Sequence, residues 1–417
     1  MSRFSVITLV VALSLAVAPR GAMAGHGHKP TAPPAEPINA VTHFPTIPHD
    51  DVIIEWWYVN THLTTASGRH LAIVASFFRF GNGFSITDGV TKQPRSHYLI
   101  YGITDLDKGI HQSFSYCDYN MMDSMRVLVP MMLAQNPKDM NALQMLTDLD
   151  QGRLPPPHQL LNGPASAAGD PLTLQFGKTD SLVQATNSDT DFLLTLGDQP
   201  NIKASLNFHT DEPAMAVGGK GETGLVKPTD MYYYSLTNCT VTGSINTALG
   251  ADPVTKGLGW FDHQWGNSWG VQNDGWDWWG LQLDNGEQVL VYRQRDLATG
   301  KIFSPSATFM DSKGNQSVTT NIVFTPDPAS VWTDSASKIS YPLGWTVSFP
   351  DQKLSLHIQT PVQSQTIPTL SAGGGIWEGH VEASGVEQGN PVTGKGFMEL
   401  VGYENLTTRR WVNSLSK

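Results

Sequence analysis

The stretch VIIEWWYVNTHL at residues 52–63 decides the fold, together with the stretch LAIVASFFRF at residues 71–80. Both are rich in aromatic and β-branched side chains, which fit the pleated surface of a sheet. Between them, residues 66–68 read ASG, a sequence typical of a tight turn. The sequence therefore predicts a β-hairpin in this region.

Short strand-like stretches of the same kind recur along the chain, separated by turn-forming residues. They lie at residues 97–104, 114–119, 172–177, 191–196, 202–208, 231–236, 240–245, 276–283, 288–295, 304–310, 318–324, 343–349, 353–360, 376–384 and 396–403. Regular short strands with few helices predict an all-β protein made of antiparallel barrels or sandwiches. A chain of 417 residues is expected to divide into two domains. The turn-rich residues 246–255 place the predicted boundary between domains 41–250 and 251–417.

Residues 121–157 depart from this pattern, because their Met and Leu side chains recur at the spacing of a helix. Pro130 and the pair Asn136-Pro137 are expected to divide the segment into short helices, and three prolines at residues 155–157 end it. The sequence thus predicts a helical insertion within the first domain. An adaptable methionine-rich lid over a pocket and a helical layer packed on the strands are both consistent with this composition.

The first 24 residues have the features of a secretory signal peptide: a basic start, a short apolar stretch and an Ala22-x-Ala24 end. Cleavage is expected before Gly25, so the mature protein is predicted to be periplasmic or secreted. Residues 25–40 are rich in Pro and Ala and are predicted to be a disordered leader. No later segment is apolar for long enough to cross a bilayer, which argues against an integral membrane protein.

Without the signal peptide, the chain has 24 basic and 37 acidic residues and a net charge of about −13. This balance argues against nucleic acid and anionic membrane surfaces as partners. No metal-binding or phosphate-binding motif is recognisable, so no cofactor and no metal are expected. The two cysteines, Cys117 and Cys239, are consistent with a disulfide and equally with two buried thiols.

Six of the 12 tryptophans fall between residues 260 and 279. One packed core does not require that density, whereas a cavity for a flat or extended apolar ligand does. The candidate ligand-binding tryptophans are Trp265, Trp276, Trp278 and Trp279, to which the first hairpin adds Trp57.

The turn DNGE at residues 284–287 predicts which side chains face each other in the hairpin that it closes. If the NG pair forms a two-residue loop, Trp279 faces Tyr292 and Asp277 faces Gln294. These four side chains then share one face. A carboxyl group beside two aromatic rings is partly desolvated, which raises its pKa and makes Asp277 a candidate proton donor. A solvated Asp277 at the end of a strand is the alternative.

Asp262 and His263 are further candidates for chemistry. Adjacent residues of a strand point to opposite faces, so these two are not expected to act together on one substrate. His263 and Trp265 share a face, and His263 is consistent with a catalytic role or with a hydrogen-bonded structural histidine.

Glu55 shares a strand face with Trp57 and is a candidate ligand-binding residue on the inner face of the first domain. A buried glutamate must be protonated or paired with a base. Arg79 in the second strand of the hairpin is its predicted partner.

The sequence GNSWG at residues 266–270 matches the G-x-S-x-G motif of serine hydrolases. The chemistry of that motif requires a strand-to-helix turn, and no helix is predicted after it. A secreted hydrolase that uses Ser268 is therefore kept only as an alternative.

Several motifs follow one another along the chain: EWWY at 55–58, FFR at 77–79, YYYS at 232–235, DHQW at 262–265, GWDW at 275–278, WEG at 377–379 and GFMELVGY at 396–403. Together, over about residues 43–405, they resemble the carotenoid 1,2-hydratase (hydroxyneurosporene synthase) and predicted secreted hydrolase family. The resemblance implies two consecutive lipocalin-like antiparallel β-barrels with the ligand site in or between them. It also implies addition of water to isoprenoid alkenes or, as in fungal relatives, pericyclic cyclisation of polyenes.

For the hydratases, the resemblance implies a His-x-Trp pair and a later Tyr-x-Asp whose aspartate is the acid. His263 and Trp265 match the pair, and Tyr292 matches the tyrosine. The acid position is occupied by Gln294, which cannot donate a proton to an alkene. The hypothesis from the sequence is that Asp277 replaces this acid.

The sequence therefore predicts an exported protein that binds an extended apolar isoprenoid or polyene ligand. If it is an enzyme, it is predicted to be a hydro-lyase that promotes hydration or isomerisation of a C=C bond by acid catalysis. A non-catalytic lipocalin-like carrier is the first alternative, because the expected acid is missing at Gln294. The hydrolase that uses Ser268 is the second.

Overall fold

The structure is a computed structural model that describes residues 46–50, 52–81, 95–135, 137, 140–199, 202–225, 227–247, 250–267, 274–297, 299–370, 375–404 and 406–415. Within these residues the chain is mostly β-strand, as predicted, with three α-helices. The helices are α1 (Tyr119–Gln135), α2 (Met140–Asp150) and α3 (Leu406–Leu415).

The first half of the chain forms a 13-stranded sheet. Its strands are β1 (Ile54–Thr65), β2 (His70–Phe80), β3 (Ser96–Asp105), β4 (Ile110–Cys117), β5 (Gln159–Leu160), β6 (Ala165–Ala168), β7 (Thr173–Phe176), β8 (Asp180–Gln184), β9 (Phe192–Leu196), β10 (Lys203–His209), β11 (Met215–Ala216), β12 (Met231–Thr247) and β13 (Gly250–Gly266). The spatial order is β5-β4-β3-β2-β1-β13-β12-β10-β9-β8-β7-β6, and β11 pairs with β12. Pairing is antiparallel except between β4 and β5. The predicted hairpin at residues 52–80 is confirmed as β1 and β2.

The second half forms a ten-stranded sheet and a separate two-stranded sheet. The strands are β14 (Asp274–Leu283), β15 (Gln288–Asp296), β16 (Ile302–Met310), β17 (Gln316–Thr319), β18 (Val323–Pro326), β19 (Val331–Thr333), β20 (Ser340–Pro342), β21 (Gly344–Phe349), β22 (Leu354–Gln359), β23 (Thr366–Pro368), β24 (Gly375–Glu387) and β25 (Asn390–Leu400). The large sheet has the order β17-β16-β15-β14-β25-β24-β22-β21-β18, with β23 on β24, and β19 pairs only with β20 among the described strands.

The apolar side chains are divided among three cores. One face of the first sheet curls around a core that includes Trp57 and Phe261. One face of the second sheet encloses a core that includes Trp279 and Trp345. The third core lies between the two sheets and contains side chains from both, such as Trp260 and Trp278. Each central strand therefore has two buried faces and contributes to two cores.

The helical insertion is confirmed as α1 and α2, which pack Met121, Met125 and Met145 into the core between the sheets. Pro130 does not divide the insertion as predicted, because it lies inside α1. A proline removes one hydrogen bond of a helix, and the buried neighbours of Pro130 hold the helix together across that gap.

The predicted domain boundary at residue 250 is not where the first sheet ends. Residues 250–266 form β13, which pairs with β1 and β12 at the middle of the first sheet. The turn-rich stretch that suggested a boundary instead contains the turn between β12 and β13.

Cys117 and Cys239 are both free and buried, so the thiol alternative describes this structure. No helix among the described residues is long and apolar enough to cross a membrane. The predicted signal peptide and leader lie outside the described residues.

Candidate functional site

The register of the hairpin β14–β15 differs by one residue from the prediction. Asp277 faces Arg293, Trp278 faces Tyr292 and Trp276 faces Gln294. The loop has three residues, because the amide of Leu283 bonds to the carbonyl of Glu287. Among the loop's residues only the glycine has a positive φ, of 87°, whereas a two-residue type I′ loop needs positive φ at both central positions.

A shift of one residue moves side chains to the opposite face of a strand, and this overturns the proposed role of Asp277. Its carboxylate accepts hydrogen bonds from Arg293 Nε (2.6 Å), Arg295 Nη2 (3.1 Å) and Tyr403 Oη (2.8 Å). Burial raises the pKa of Asp277, but the charges of Arg295 and Arg293 outweigh burial and hold the pKa below its ordinary value. Asp277 is thus ionised and is not a proton donor.

Trp279 lies with Asp277 in the core of the second sheet, where it contacts Phe324 and Trp345. The guanidinium of Arg293 lies 4.7 Å from the ring centre of Trp345. The prediction that the tryptophans of residues 260–279 line one common cavity is therefore wrong. The described ones are divided between opposite faces of their strands.

Glu55 and His263 form a buried hydrogen-bonded cluster on the concave side of the first sheet. The carboxylate of Glu55 accepts bonds from His263 Nε2 (2.9 Å), His49 Nδ1 (2.7 Å) and Arg79 Nη2 (2.6 Å), which confirms the predicted pair with Arg79. Burial raises the pKa of Glu55, but the bonds from His263 and His49 and the charge of Arg79 lower it to about 2. The cluster therefore holds an ionised carboxylate.

Aromatic rings pack on both sides of this cluster. The ring of His263 stacks on Trp57, with 5.0 Å between centroids, and contacts Trp265 at 4.5 Å. The ligand atoms of His49, Glu55 and His263 lie within 4.8 Å of one another, a spacing that suits a metal ion. The guanidinium of Arg79 on the same carboxylate makes a second cation unfavourable there, so we assign the cluster to hydrogen bonding.

The most unusual polar groups lie between the two sheets. Asp262 points into this interface, opposite to His263 as predicted. It accepts hydrogen bonds from Trp260 Nε1 (2.6 Å) and from Tyr233 Oη (2.9 Å). Tyr233 Oη in turn accepts a bond of 3.1 Å from Trp278 Nε1 on the second sheet. Burial raises the pKa of Asp262 to about 7, although these bonds partly offset the rise.

Two glutamates of the second sheet face the same interface. Tyr58 Oη donates a hydrogen bond of 2.7 Å to Glu378, and Asn60 Nδ2 donates one of 3.1 Å to Tyr58 Oη. Glu399 is the cross-strand neighbour of Glu378. Burial and the nearby Glu399 raise the pKa of Glu378 well above its ordinary range. Burial also raises the pKa of Glu399, to about 7.

The described residues at one edge of this interface are only partly buried. They are Trp276, Tyr292 and Gln294, which share a face because Trp276 pairs with Gln294 and Trp278 with Tyr292. The buried Oε1 atom of Gln294 has no hydrogen-bond partner within the described part of the chain. This edge is therefore our candidate approach to the acidic cluster, by which we mean Asp262, Glu378 and Glu399.

The structure thus brings only part of the predicted site together. Asp262, Trp276, Trp278, Tyr292 and Gln294 lie at the interface between the sheets. The core of the first sheet contains Glu55, Trp57, His263 and Trp265. The core of the second sheet contains Asp277 and Trp279. Ser268 lies outside the described residues.

Four residues of this interface were not candidates from the sequence: Glu378, Glu399, Tyr58 and Tyr233. The signal was a single acidic residue inside each of two apolar strand patterns, in WEG at 377–379 and in FMELV at 397–401. A separate open cavity of about 260 Å³ lies at the end of the first sheet, beside Arg69, Asp105 and Lys108. That cavity contains none of the predicted site residues.

The raised pKa of Asp262 has a measurable consequence for stability. A carboxyl group whose folded pKa is about 7 binds its proton more tightly in the folded state, so it lowers stability as pH rises from about 4 to 7. We expect Asp262→Asn to remove this loss, which has a limit of about 1.4 kcal/mol per pH unit for one proton. Denaturant unfolding of both proteins at pH 5, 6 and 7 measures it. If the free energy of unfolding changed with pH in the same way in both proteins, Asp262 would be ionised at all three pH values.

Comparison with known proteins places the fold. Residues 140–403, more than half of the chain, match the profile described as AttH-like. Dehydratase asqC of Emericella nidulans is 26% identical over 234 residues, which are 54% of this chain and 65% of that protein. The chain therefore matches slightly less than two thirds of the dehydratase's length.

Two solved structures are similar over most of the chain. An AttH protein of Nitrosomonas europaea superposes with a TM-score of 0.65 at 20% identity, covering 88% of this chain and 100% of that one. Kievitone hydratase of Nectria haematococca superposes with a TM-score of 0.61 at 15% identity, covering 85% and 90% of the two chains. At these identities the likeness establishes a shared fold.

Proposed function

The chain belongs to the AttH-like family, and from this premise we propose that it is a hydro-lyase. It would add water to, or remove water from, a C=C bond of an extended apolar molecule such as an isoprenoid or a polyene. The names of a related dehydratase and of a hydratase with the same fold support this reaction class. The carotenoid 1,2-hydratase activity expected from the motifs is a narrower form of the same proposal.

The observation that carries the proposal is the pair of carboxyl groups with opposite tasks between the sheets. Glu378 has the strongly raised pKa of a group that keeps its proton at neutral pH. Asp262 has a pKa of about 7 and accepts two hydrogen bonds, so its ionised form is available at the same pH. Carboxyl groups held in different protonation states are the arrangement that acid catalysis needs.

The reaction follows from these groups. The O–H of protonated Glu378 gives its proton to the alkene, the π electrons form the new C–H bond, and a cation forms on the more substituted carbon. The π faces of Trp260 and Trp278 and the negative charge of Asp262 stabilise that cation. The oxygen of a water molecule then bonds to the cation, and one proton of that water returns to Glu378. Dehydration is the same sequence in reverse.

Water and substrate need an approach to the buried carboxyl groups. We assign it to the partly buried edge formed by Trp276, Tyr292 and Gln294. The unpaired Oε1 of Gln294 accepts a hydrogen bond from a water molecule there. In this assignment Gln294 orients water, although it cannot supply the proton.

We further propose that the protein is exported and that its first domain is a lipocalin-like barrel. The signal-peptide pattern of residues 1–24 supports action in the periplasm or outside the cell. Strands β5 and β6 lie at the two ends of the first sheet, yet only a short connection joins them in the chain. The two ends of the sheet must therefore lie near each other, which supports a lipocalin-like barrel.

Incubation with acyclic isoprenoids in H₂¹⁸O tests the proposed function. We expect the full chain to convert lycopene or geranylgeraniol to a product that carries one ¹⁸O atom, as measured by mass spectrometry. Native mass spectrometry of the protein from its own host is expected to show a bound apolar molecule. Ligand binding without ¹⁸O incorporation would favour the non-catalytic carrier, and the absence of both would overturn the proposal.

A further inference from the structure

Four basic side chains meet at one end of the interface between the sheets. They come from four strands, and strand alternation places them on the same faces as the candidate acids: His62 of β1, Lys256 of β13, His380 of β24 and Lys395 of β25. The rings of His62 and His380 are in edge-to-face contact, with 4.7 Å between their centroids.

The two histidines have unused hydrogen-bonding capacity. Both ring nitrogens of His62 and the Nδ1 atom of His380 are buried without a bond of good geometry to any described residue. Only the backbone of Gly396 lies near the His62 ring as a weak partner. The residues are 4% and 3% exposed. A neutral imidazole carries one N–H, and because buried donors normally have partners, the N–H groups of this pair indicate a ligand that accepts hydrogen bonds.

The charges that shift the pKa values of this histidine pair come from basic groups. Burial lowers the pKa of His62, and His380 and Lys395 lower it further. Burial and the charge of Lys256 lower the pKa of Lys395. Of the lysines that the structure describes, Lys108 alone forms an ion pair. Glu382, the cross-strand neighbour of Lys395, is exposed and forms no ion pair with Lys395.

We propose that this basic cluster binds the carboxylate head group of the substrate, so that the substrate is an extended apolar acid. The inference rests on the proposed function and names its substrate class. A single negative charge matches the half-buried Lys395, while the unpaired imidazole N–H groups of His62 and His380 donate to the carboxylate oxygens. Exposed Lys256 lies at the outer end of the cluster, where its charge acts on Lys395.

The sheet geometry sets the distance from the head group to the reacting bond. Lys395 and Glu399 lie on one face of β25, four residues apart, and Glu399 faces Glu378 across the strands. At about 3.3 Å per residue, this separation is roughly 13 Å. The apolar ring of Phe397 lies between the two ends and contacts His62 at 5.1 Å. An apolar chain of this length connects the carboxylate to the double bond that reacts.

Binding of all-trans retinoic acid and of its neutral methyl ester tests this inference. The two probes share one polyene chain and differ in charge, and quenching of tryptophan fluorescence measures both affinities. We expect the wild-type chain to bind the acid more tightly than the ester. Lys395→Gln is expected to weaken binding of the acid by about tenfold and to leave the ester within about twofold.

Two further variants complete the experiment. His62→Phe keeps a packed ring but removes the nitrogens. It is also expected to weaken binding of the acid and to leave binding of the ester unchanged. Lys313→Gln removes an exposed lysine in the turn between β16 and β17 and is expected to change neither affinity. Equal binding of acid and ester in the wild type and in Lys395→Gln would overturn the carboxylate site and leave the hydro-lyase proposal standing. Failure of the wild type to bind either probe would overturn both.

Discussion

Replacement of Glu378 by glutamine is expected to abolish nearly all turnover while the protein stays folded. General acid catalysis by a positioned side chain is worth about 10²–10⁴-fold in rate, so kcat is expected to fall by about that factor. Glutamine has the shape of a protonated glutamic acid and still accepts the hydrogen bond from Tyr58. Glu378 forms no ion pair with any residue that the structure describes, so the substitution removes none.

The stability of the variant is part of the same prediction. Burial raises the pKa of Glu378 in the folded protein but not in the unfolded chain, so its ionisation at neutral pH favours the unfolded chain. We expect Glu378→Gln to unfold at the same or a higher denaturant concentration. Glu382→Gln, on the same face of β24 but exposed, is the matched control and is expected to keep the wild-type kcat. Full activity of Glu378→Gln would assign the acid to another group.

Local pattern predicted the parts of the fold that depend on neighbours in sequence. Alternation along β1 correctly separated Glu55 and Trp57 from Tyr58, and alternation along β13 placed Asp262 opposite to His263. These assignments hold because successive side chains of a strand point to opposite faces, whichever strands pair with it. The order of strands, by contrast, depends on the pairing of β1 with β13, about 200 positions later, for which no local pattern exists.

The hairpin β14–β15 shows how one residue of loop length changes a functional assignment. The sequence around Asn285 and Gly286 is compatible with a two-residue and with a three-residue loop. In the three-residue loop, Asn285 keeps a negative φ and its side chain accepts a bond from the amide of Glu287. The difference moved Asp277 from the predicted site into the core of the second sheet.

The acidic cluster could not be predicted from the sequence for a different reason. Tyr58 and Glu378 are 320 positions apart and meet only because the two sheets pack face to face. A buried acid in an apolar strand is visible in a sequence as an exception to the pattern. Whether that acid pairs with a base, as Asp277 does, or stays protonated, as Glu378 does, depends on the strand packed against it.

The largest expected effect on stability comes from Asp277. Its carboxylate is bound by Arg293 and Arg295, both of which are at least 95% buried. Removing one partner of a buried ion pair leaves an uncompensated charge and typically costs about 3–5 kcal/mol. We therefore expect Asp277→Asn to lower the free energy of unfolding by about this amount, as measured by denaturant titration at pH 7.

The same variant separates a structural role from a catalytic one. Asp277 lies on the opposite face of β14 from Trp276 and Trp278, so turnover per folded molecule is expected to stay at the wild-type level. Asp150→Asn changes an exposed aspartate at the end of α2 and is expected to shift stability by less than about 0.5 kcal/mol. If Asp277→Asn kept wild-type stability but lost turnover, Asp277 would be the missing acid after all. Because its two arginines hold it ionised, we expect the reverse.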